Sequence, residues 1–504
     1  MSRFDYPNNM QEQPDTSGYH GDRDALASAL RSVLPKDAVL SHPEALKPYE
    51  CDGLSAYRAL PYIVVLPETV AQIQQVLNIC KRLQTPVVAR GAGTGLSGGA
   101  LPHERGVLLS LAKFKRILDI DPDNRCARVE PGVRNLAITE AAKQYGLYYA
   151  PDPSSQIACS IGGNVAENSG GVHCLKYGLT VHNIQQLKVL TFDGELHVIG
   201  SSGLDSSGYD LLALMTGSEG LLGIIVEVTV KLLPKPDTTQ VLLASFNDIA
   251  AAGTSVANVI AAGIIPAGLE LMDNAAIRAA EDFVHAGYPV DAAAVLICEI
   301  DGSESDVNEQ IQRVSDVFKS SGANEIRIAN SDTERQQLWA GRKAAFPAVG
   351  RISPDYYCMD GTIPRHQLAA VLTRIAELSN EYGLRVVNVF HAGDGNLHPL
   401  ILYDANIENE LERTEELGAK ILEACVKVGG TITGEHGVGV EKLDAMCLQF
   451  NEHELQQLHA VKHAFDPDGL LNPGKAVPTL HRCAEFGAMH VHDGKLPFPD
   501  IERF

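Results

Sequence analysis

Two histidines flank a glycine turn in Phe390-His391-Ala392-Gly393-Asp394-Gly395-Asn396-Leu397-His398-Pro399, with apolar stretches on either side. Further along, Gly434-Glu435-His436-Gly437-Val438-Gly439 adds an acid and a third imidazole. Neutral imidazoles with a carboxylate suit a borderline divalent metal: zinc, manganese or iron. Three protein ligands leave a coordination position for a substrate oxygen, as a Lewis-acid site requires. A lone histidine would read as an ordinary strand-edge residue; the pair across Gly-Asp-Gly favours the chemical reading. A guanidinium fork is the natural partner of a substrate carboxylate, and Arg342 falls late in a helix expected over 332–345. On the residues alone, however, a surface arginine is the better account of it.

Three glycine-rich blocks accompany these groups: Arg90-Gly91-Ala92-Gly93-Thr94-Gly95-Leu96-Ser97-Gly98-Gly99, Ser160-Ile161-Gly162-Gly163 through Asn168-Ser169-Gly170-Gly171, and Thr216-Gly217-Ser218-Glu219-Gly220. Pro151-Asp152-Pro153-Ser154-Ser155 precedes the second. Gly93 to Gly98 satisfies G-x-G-x-x-G, but Pro102 and a strand follow it, where a dinucleotide fingerprint must open a helix. A Rossmann unit is therefore excluded. Glycines still let the backbone approach a phosphate and aim several N–H groups at it. Three such loops suggest one long ligand with its pyrophosphate between them.

In order and spacing these blocks resemble the FAD-binding domain of the vanillyl-alcohol oxidase and p-cresol methylhydroxylase superfamily. In that superfamily the first loop wraps the pyrophosphate, and the second and third hold the ribityl chain and ring. The resemblance thus implies FAD contacts from Arg90, Gly91, Ala92, Gly93, Thr94, Gly95 and Ser97. It adds Pro151, Asp152, Ser154, Ser155, Gly162, Gly163, Asn168 and Gly170, then Gly217, Ser218, Glu219 and Gly220. Asn472, in the turn Asn472-Pro473-Gly474-Lys475 after a helix stop, is a further implied contact. Many members attach the flavin through a histidine at the position of Thr94. This loop has none, so the implied FAD is non-covalent.

The segments 391–398 and 434–439 are similar to the metal-binding and catalytic motifs of flavin 2-hydroxy-acid dehydrogenases acting on D-lactate, D-2-hydroxyglutarate or glycolate. By that similarity His391, His398 and Glu435 are metal ligands, His436 is the general base, and Arg342 holds the substrate carboxylate. The likeness extends over nearly the whole chain, including 342–364 and 481–504. In the 2-hydroxyglutarate members a lysine stands where this chain has Cys358, two residues before Asp360. The implied substrate is therefore a small monocarboxylate, glycolate or D-lactate, oxidised to its 2-oxo acid. Reduced flavin must pass electrons on. The resemblance implies an iron–sulfur subunit and a second flavin-domain subunit of a hetero-oligomeric complex leading to quinone.

The elements expected to position these groups fall into two parts. From residue 61 to about 233, strands and helices alternate, with a helix over 68–83, a strand from 87, hairpin turns at 121–124 and 193–194, and one long strand over 222–233. Beyond Pro234 and Pro236 come strands over 240–246, 294–300, 325–328 and 356–363. Helices over 250–263, 306–318 and 366–381 lie among them. The expected fold is α+β: a tail at 1–20, a two-part FAD-binding domain over 21–234, an antiparallel-sheet substrate domain over 235–445 with the metal site, and a returning segment over 446–504 that opens with a helix at 452–465.

Composition agrees with a soluble enzyme. The 504 residues are 45% hydrophobic and 21% charged, and the net charge of −22 argues against nucleic acid or an anionic membrane as a partner. No run of about 20 apolar residues suggests a membrane span, and the polar N-terminus lacks the apolar core of a signal peptide. The expected location is the cytoplasm, or the inner-membrane face through partner subunits. The ten cysteines include no Cys-x-x-Cys pair, so free thiols and no iron–sulfur cluster of its own are expected. Trp339 and the His490/His492 pair are assigned no role.

Overall fold

The computed structural model describes residues 22–203 and 208–478. The tail at 1–20, the 481–504 part of the resemblance and the His490/His492 pair lie outside these residues. The first sheet has the strand order Val39–Leu40, Ile63–Val65, Val107–Ser110, Val87–Arg90, and the last three strands are parallel. Their apolar runs are buried, as parallel strands covered by helices require. The helix Val70–Arg82 lays Ile73, Val76, Leu77 and Cys80 into the same core. It begins where Thr69 and Gln72 cap each other reciprocally. Val87–Arg90 then delivers the first glycine loop at the carboxyl end of the sheet, where open α/β sheets place their ligands.

A second, antiparallel sheet has the order Ile117–Asp121, Cys126–Val129, Ile224–Lys231, Ile184–Leu190, Leu196–Gly200. Both expected hairpins are present in it. The long strand expected over 222–233 is interrupted. Leu232 gives its N–H to Arg125 O at 2.7 Å, and Leu233–Pro234 pairs instead with Leu147–Tyr148.

The third sheet has seven strands, all paired antiparallel: Glu325–Ile328, Thr238–Phe246, Ala294–Gly302, Gly268–Asp273, Val386–Phe390, Pro399–Tyr403, Asp355–Cys358. Helices cover both faces. Leu242, Ala244 and Phe246 join one core with the helices Ile249–Ala261, Glu304–Ser320, Leu368–Tyr382 and Glu410–Lys427. Val241 and Leu243, on the opposite face, join another with Asn274–Val284 and Asp332–Val349. The strand expected over 356–363 stops at Cys358, because Asp360 turns inward to hold a distant loop. The helix expected over 332–345 continues to Val349 through Pro347. After the helix Glu452–Phe465, the chain returns to the first sheet, where Leu471 bridges to Val87 in parallel.

Among the described residues no helix is long and apolar enough to cross a membrane. Among the described residues eight cysteines carry free thiols, whereas Cys447 is disulfide-bonded, which corrects the expectation of free thiols throughout.

Candidate active site

Antiparallel hairpin geometry brings the first two histidines together. His391 follows the strand Val386–Phe390 and His398 precedes Pro399–Tyr403, with Gly395 at φ 87° in the turn between them. A Cβ at Gly395 would strike the Ile363 carbonyl, so only glycine fits. The two rings stand 5.0 Å apart at 88°. Glu435 Oε1 lies 2.9 Å from His398 Nε2 and 3.4 Å from His391 Nε2, so one carboxylate oxygen faces both imidazoles. One donor atom from each of the three lies within 4.8 Å of the others, and the N,N,O set suits a borderline divalent metal.

Behind His391 stands Glu270, which the pairing of Leu271 with Phe390 places on the neighbouring strand. Both Glu270 oxygens lie 3.0 Å from His391 Nδ1, a carboxylate–histidine pair of the kind that orients metal-binding imidazoles. Arg342 meets the same acid: its Nε donates to Oε2 at 2.8 Å, and Nη2 lies 2.6 Å from Oε2 but off the hydrogen-bond axis. Arg342 and Glu270 are 2% and 1% exposed, so this is a buried ion pair and not a surface arginine.

The loop carrying Glu435 and His436 is held from two sides. From the substrate side, Asp360 accepts Thr433 Oγ1 at 2.6 Å, Gly434 N at 3.0 Å, His436 N at 2.8 Å and Asn396 Nδ2 at 3.0 Å. From the glycine-loop side, Glu219 accepts Val438 N and Gly439 N at 2.7 Å each, and Ser97 Oγ donates to the His436 carbonyl at 2.9 Å. Replacing Glu219 with Ala would leave two buried N–H groups unpaired, at about 1–3 kcal/mol each. A lowered melting temperature and weaker FAD retention are the expected results, read by thermal denaturation with and without added FAD.

Electrostatics separates the imidazoles. Burial pushes His436 down to about 4, so its ring is neutral; it stacks on His398 at 5.0 Å and 11°. Burial also opposes charge on His391, but Glu270 and then Glu435 hold its pKa well above the ordinary range. For Glu435, burial is outweighed by His391 and His398, which keep the carboxyl ionised. Asp360 is likewise held well below its usual range against burial, by His436, Lys442 and His398.

A cavity of about 470 Å³ runs from the first glycine loop to this cluster. Arg90, Gly91, Ala92, Gly93, Thr94, Gly95, Ser154, Ser155, Gly162, Gly163, Glu219 and Gly220 line it, with His398, Glu435 and His436 at its far end. A methyl group on Gly91 would run into Ser160 Oγ, so the cradle has no room to spare there. These features fit an elongated phosphate-bearing cofactor.

Other expected contacts lie behind the wall. Pro151 O accepts Asn135 Nδ2, Asp152 pairs with His173, and Asn168 Oδ1 accepts Val181 N. Gly217 N and Ser218 Oγ donate to Val165 O and Met215 O, and Gly170 packs under Glu435. Asn472, at φ 44°, donates from one amide to Gly99 O at 2.9 Å and Glu219 O at 2.6 Å, tying the first loop to the third. His391 and Arg342 also stand off the cavity, whereas Lys343, Phe346 and Pro347 of the same helix reach it. Trp339 is half-buried and donates to Glu299 at 2.6 Å.

Sequence reasoning missed Lys343, Phe346, Glu167, Asn164, Gly223–Ile225 and Glu270. A usable signal existed for Glu270, a lone acid inside the apolar strand Gly268–Asp273.

Residues 61–200 match the FAD binding domain model, and 235–476 match the model of the C-terminal domain of FAD linked oxidases. The chain belongs to the FAD-linked oxidase family. Within it, the chain is 66% identical over 483 residues to glycolate oxidase subunit GlcD of Escherichia coli (strain K12), covering 96% of this chain and 97% of the relative. GlcD of Bacillus subtilis (strain 168) is 39% identical, with 85% and 91% covered. A D-lactate dehydrogenase of Anaerostipes hadrus is 32% identical, with 89% and 96% covered. The structure of p-cresol methylhydroxylase with substrate bound superposes with a TM-score of 0.79 at 20% identity, covering 92% of this chain and 99% of that one; it shares the fold.

Proposed function

We propose that this chain is the flavin-bearing catalytic subunit of a glycolate-oxidising dehydrogenase, acting on glycolate and D-lactate. One observation carries the reading: a neutral, half-buried His436 stands with His398 and Glu435 at the end of the glycine-lined cavity, and His391 faces the same Glu435 from behind the wall. When bound, non-covalent FAD supplies the two-electron acceptor, and a divalent metal (zinc, manganese or iron) the Lewis acid for the α-hydroxyl. His391, His398 and Glu435 would hold that metal. Arg342 binds the substrate carboxylate. His436, whose Nδ1 has no partner in its buried site, takes the hydroxyl proton as the α-carbon gives up hydride. The glycine loops and Phe346 exclude water from the reacting atoms. With Cys358 in place of a second cation, the pocket is suited to a monocarboxylate.

Onward transfer to an iron–sulfur subunit and a second flavin-domain subunit, and then to quinone, belongs to the same proposal. It is supported by the word subunit in the names of the 66% and 39% identical relatives. Peripheral placement at the inner membrane through those partners and domain limits of 21–234, 235–445 and 446–504 complete it. A second reading, a D-lactate dehydrogenase working without that complex, is favoured by the 32% identical relative of that name. A methyl group changes discrimination by only ~1–3 kcal/mol, so the two substrates need direct comparison. Anaerobic titration of the flavin-loaded protein with glycolate, D-lactate, L-lactate and D-2-hydroxyglutarate should bleach the flavin with the first two. Failure of every 2-hydroxy acid to bleach it, even with partner subunits added, would sink the proposal.

A further inference from the structure

We propose that Cys358, His398 and His436 form a second cation site, one that takes a thiophilic divalent metal. One donor atom from each of the three lies within 4.8 Å of the others. Cys358 and His398 are 6% and 2% exposed. The Cys358 thiol spends its hydrogen bond only on its neighbour's carbonyl, Met359 O, at 3.4 Å.

The two imidazoles each keep a ring nitrogen in reserve. His398 Nε2 faces Glu435, but Nδ1 of His398 and Nδ1 of His436 are buried and have no hydrogen-bond partner. Buried polar atoms are nearly always paired, and two unpaired nitrogens beside one buried thiol point to a ligand. His398 Nδ1 lies 3.9 Å from Asp360 Oδ1, and Asp360 follows Cys358 by two residues. His398 is thus common to the two donor sets, and with Nε2 on Glu435 its unpartnered Nδ1 is the atom with a lone pair left for the S,N,N set. Sulfur and nitrogen ligands select zinc and cadmium over magnesium, calcium or manganese. On binding, the metal–sulfur bond replaces the S–H bond and the proton leaves to solvent. Asp360 supplies the negative charge next to the site. Occupation ties up His436, so the ion acts as an inhibitor of the proton transfer assigned to that residue. Only this inhibitory consequence rests on the proposed function; the binding rests on the donor geometry.

The test is titration of the flavin-loaded protein with cadmium chloride, following the ultraviolet thiolate-to-cadmium charge-transfer band and turnover together. The band is expected to saturate and turnover to fall in step. Cys358→Ser should abolish the band and weaken cadmium binding by at least the roughly 10- to 100-fold seen when only a ligand's hydrogen-bonding partner is lost, because here a ligand itself is removed. Cys174→Ser, a control thiol near Glu435, should keep the band. Absence of the band in the unaltered protein, or its survival in Cys358→Ser, overturns the site. Should Cys358→Ser fail to retain flavin, X-ray absorption at the cadmium edge of the unaltered protein decides: sulfur with nitrogen supports the site, and oxygen and nitrogen alone overturn it. A band without loss of turnover would uphold the site and remove His436 from the role of base.

Discussion

His436→Asn should slow flavin reduction by glycolate roughly 10²- to 10⁴-fold, the range a positioned general base contributes. The effect should be confined to chemistry. Asp360 and Ser97 hold residue 436 through its backbone N–H and carbonyl, and both contacts survive the change of side chain. Asparagine offers an oxygen of negligible basicity where the imidazole offered a ring nitrogen. Anaerobic stopped-flow absorbance of the FAD-loaded variant measures the rate directly. A rate within about tenfold of the parent would remove His436 from the proton transfer, since that loss is below what a lost base produces.

Arg342→Met should cost both stability and turnover. The arginine and Glu270 form an ion pair that is almost wholly buried, and removing one partner of such a pair typically costs about 3–5 kcal/mol. Glu270 also pairs with His391, so its stranded charge disturbs the His391, His398 and Glu435 cluster itself. Glycolate makes matters worse for the variant. At a ceiling of ~1.5 kcal/mol per heavy atom it binds with at most about 7.5 kcal/mol, and little of that comes from apolar contact. Two roles for Arg342, neutralising Glu270 or gripping the substrate carboxylate, separate in the double variant Arg342→Met/Glu270→Gln. Urea denaturation should show most of the stability restored, because no buried charge is left alone. Turnover should remain lost if the guanidinium grips substrate; recovered turnover would reduce Arg342 to a partner of Glu270.

The sequence made local chemistry readable and left long-range chemistry hidden. Gly91 to Gly95 and the pair His391/His398 are visible because each is set by a short loop at a strand end, and neighbours in sequence stay neighbours in space. The helix Val70–Arg82 announced itself by one apolar face. Glu270 was invisible as a partner of His391 because its role depends on strand register across more than a hundred residues. Asp360 was marked only as a reference point, since nothing nearby says that it will bind the backbone of 434–436. Phe346 was passed over for a different reason. The helix was expected to end at 345, and its continuation through Pro347 is what aims that last turn at the cavity. Register and tertiary contact, not composition, settle such cases.

Asn472 bears on how the protein comes into being. The first and third glycine loops belong to stretches of chain completed early, yet the amide joining Gly99 to Glu219 is supplied from residue 472 of 504. A ribosome partway through the message therefore carries a cradle whose two sides are not yet tied. The tie between the two loops closes only after the strands of both larger sheets have been made. Chains cut short before Asn472 would keep His391, His398 and His436 but lose the amide that ties the two loops; weaker flavin retention is the expected result, read by flavin absorbance after gel filtration.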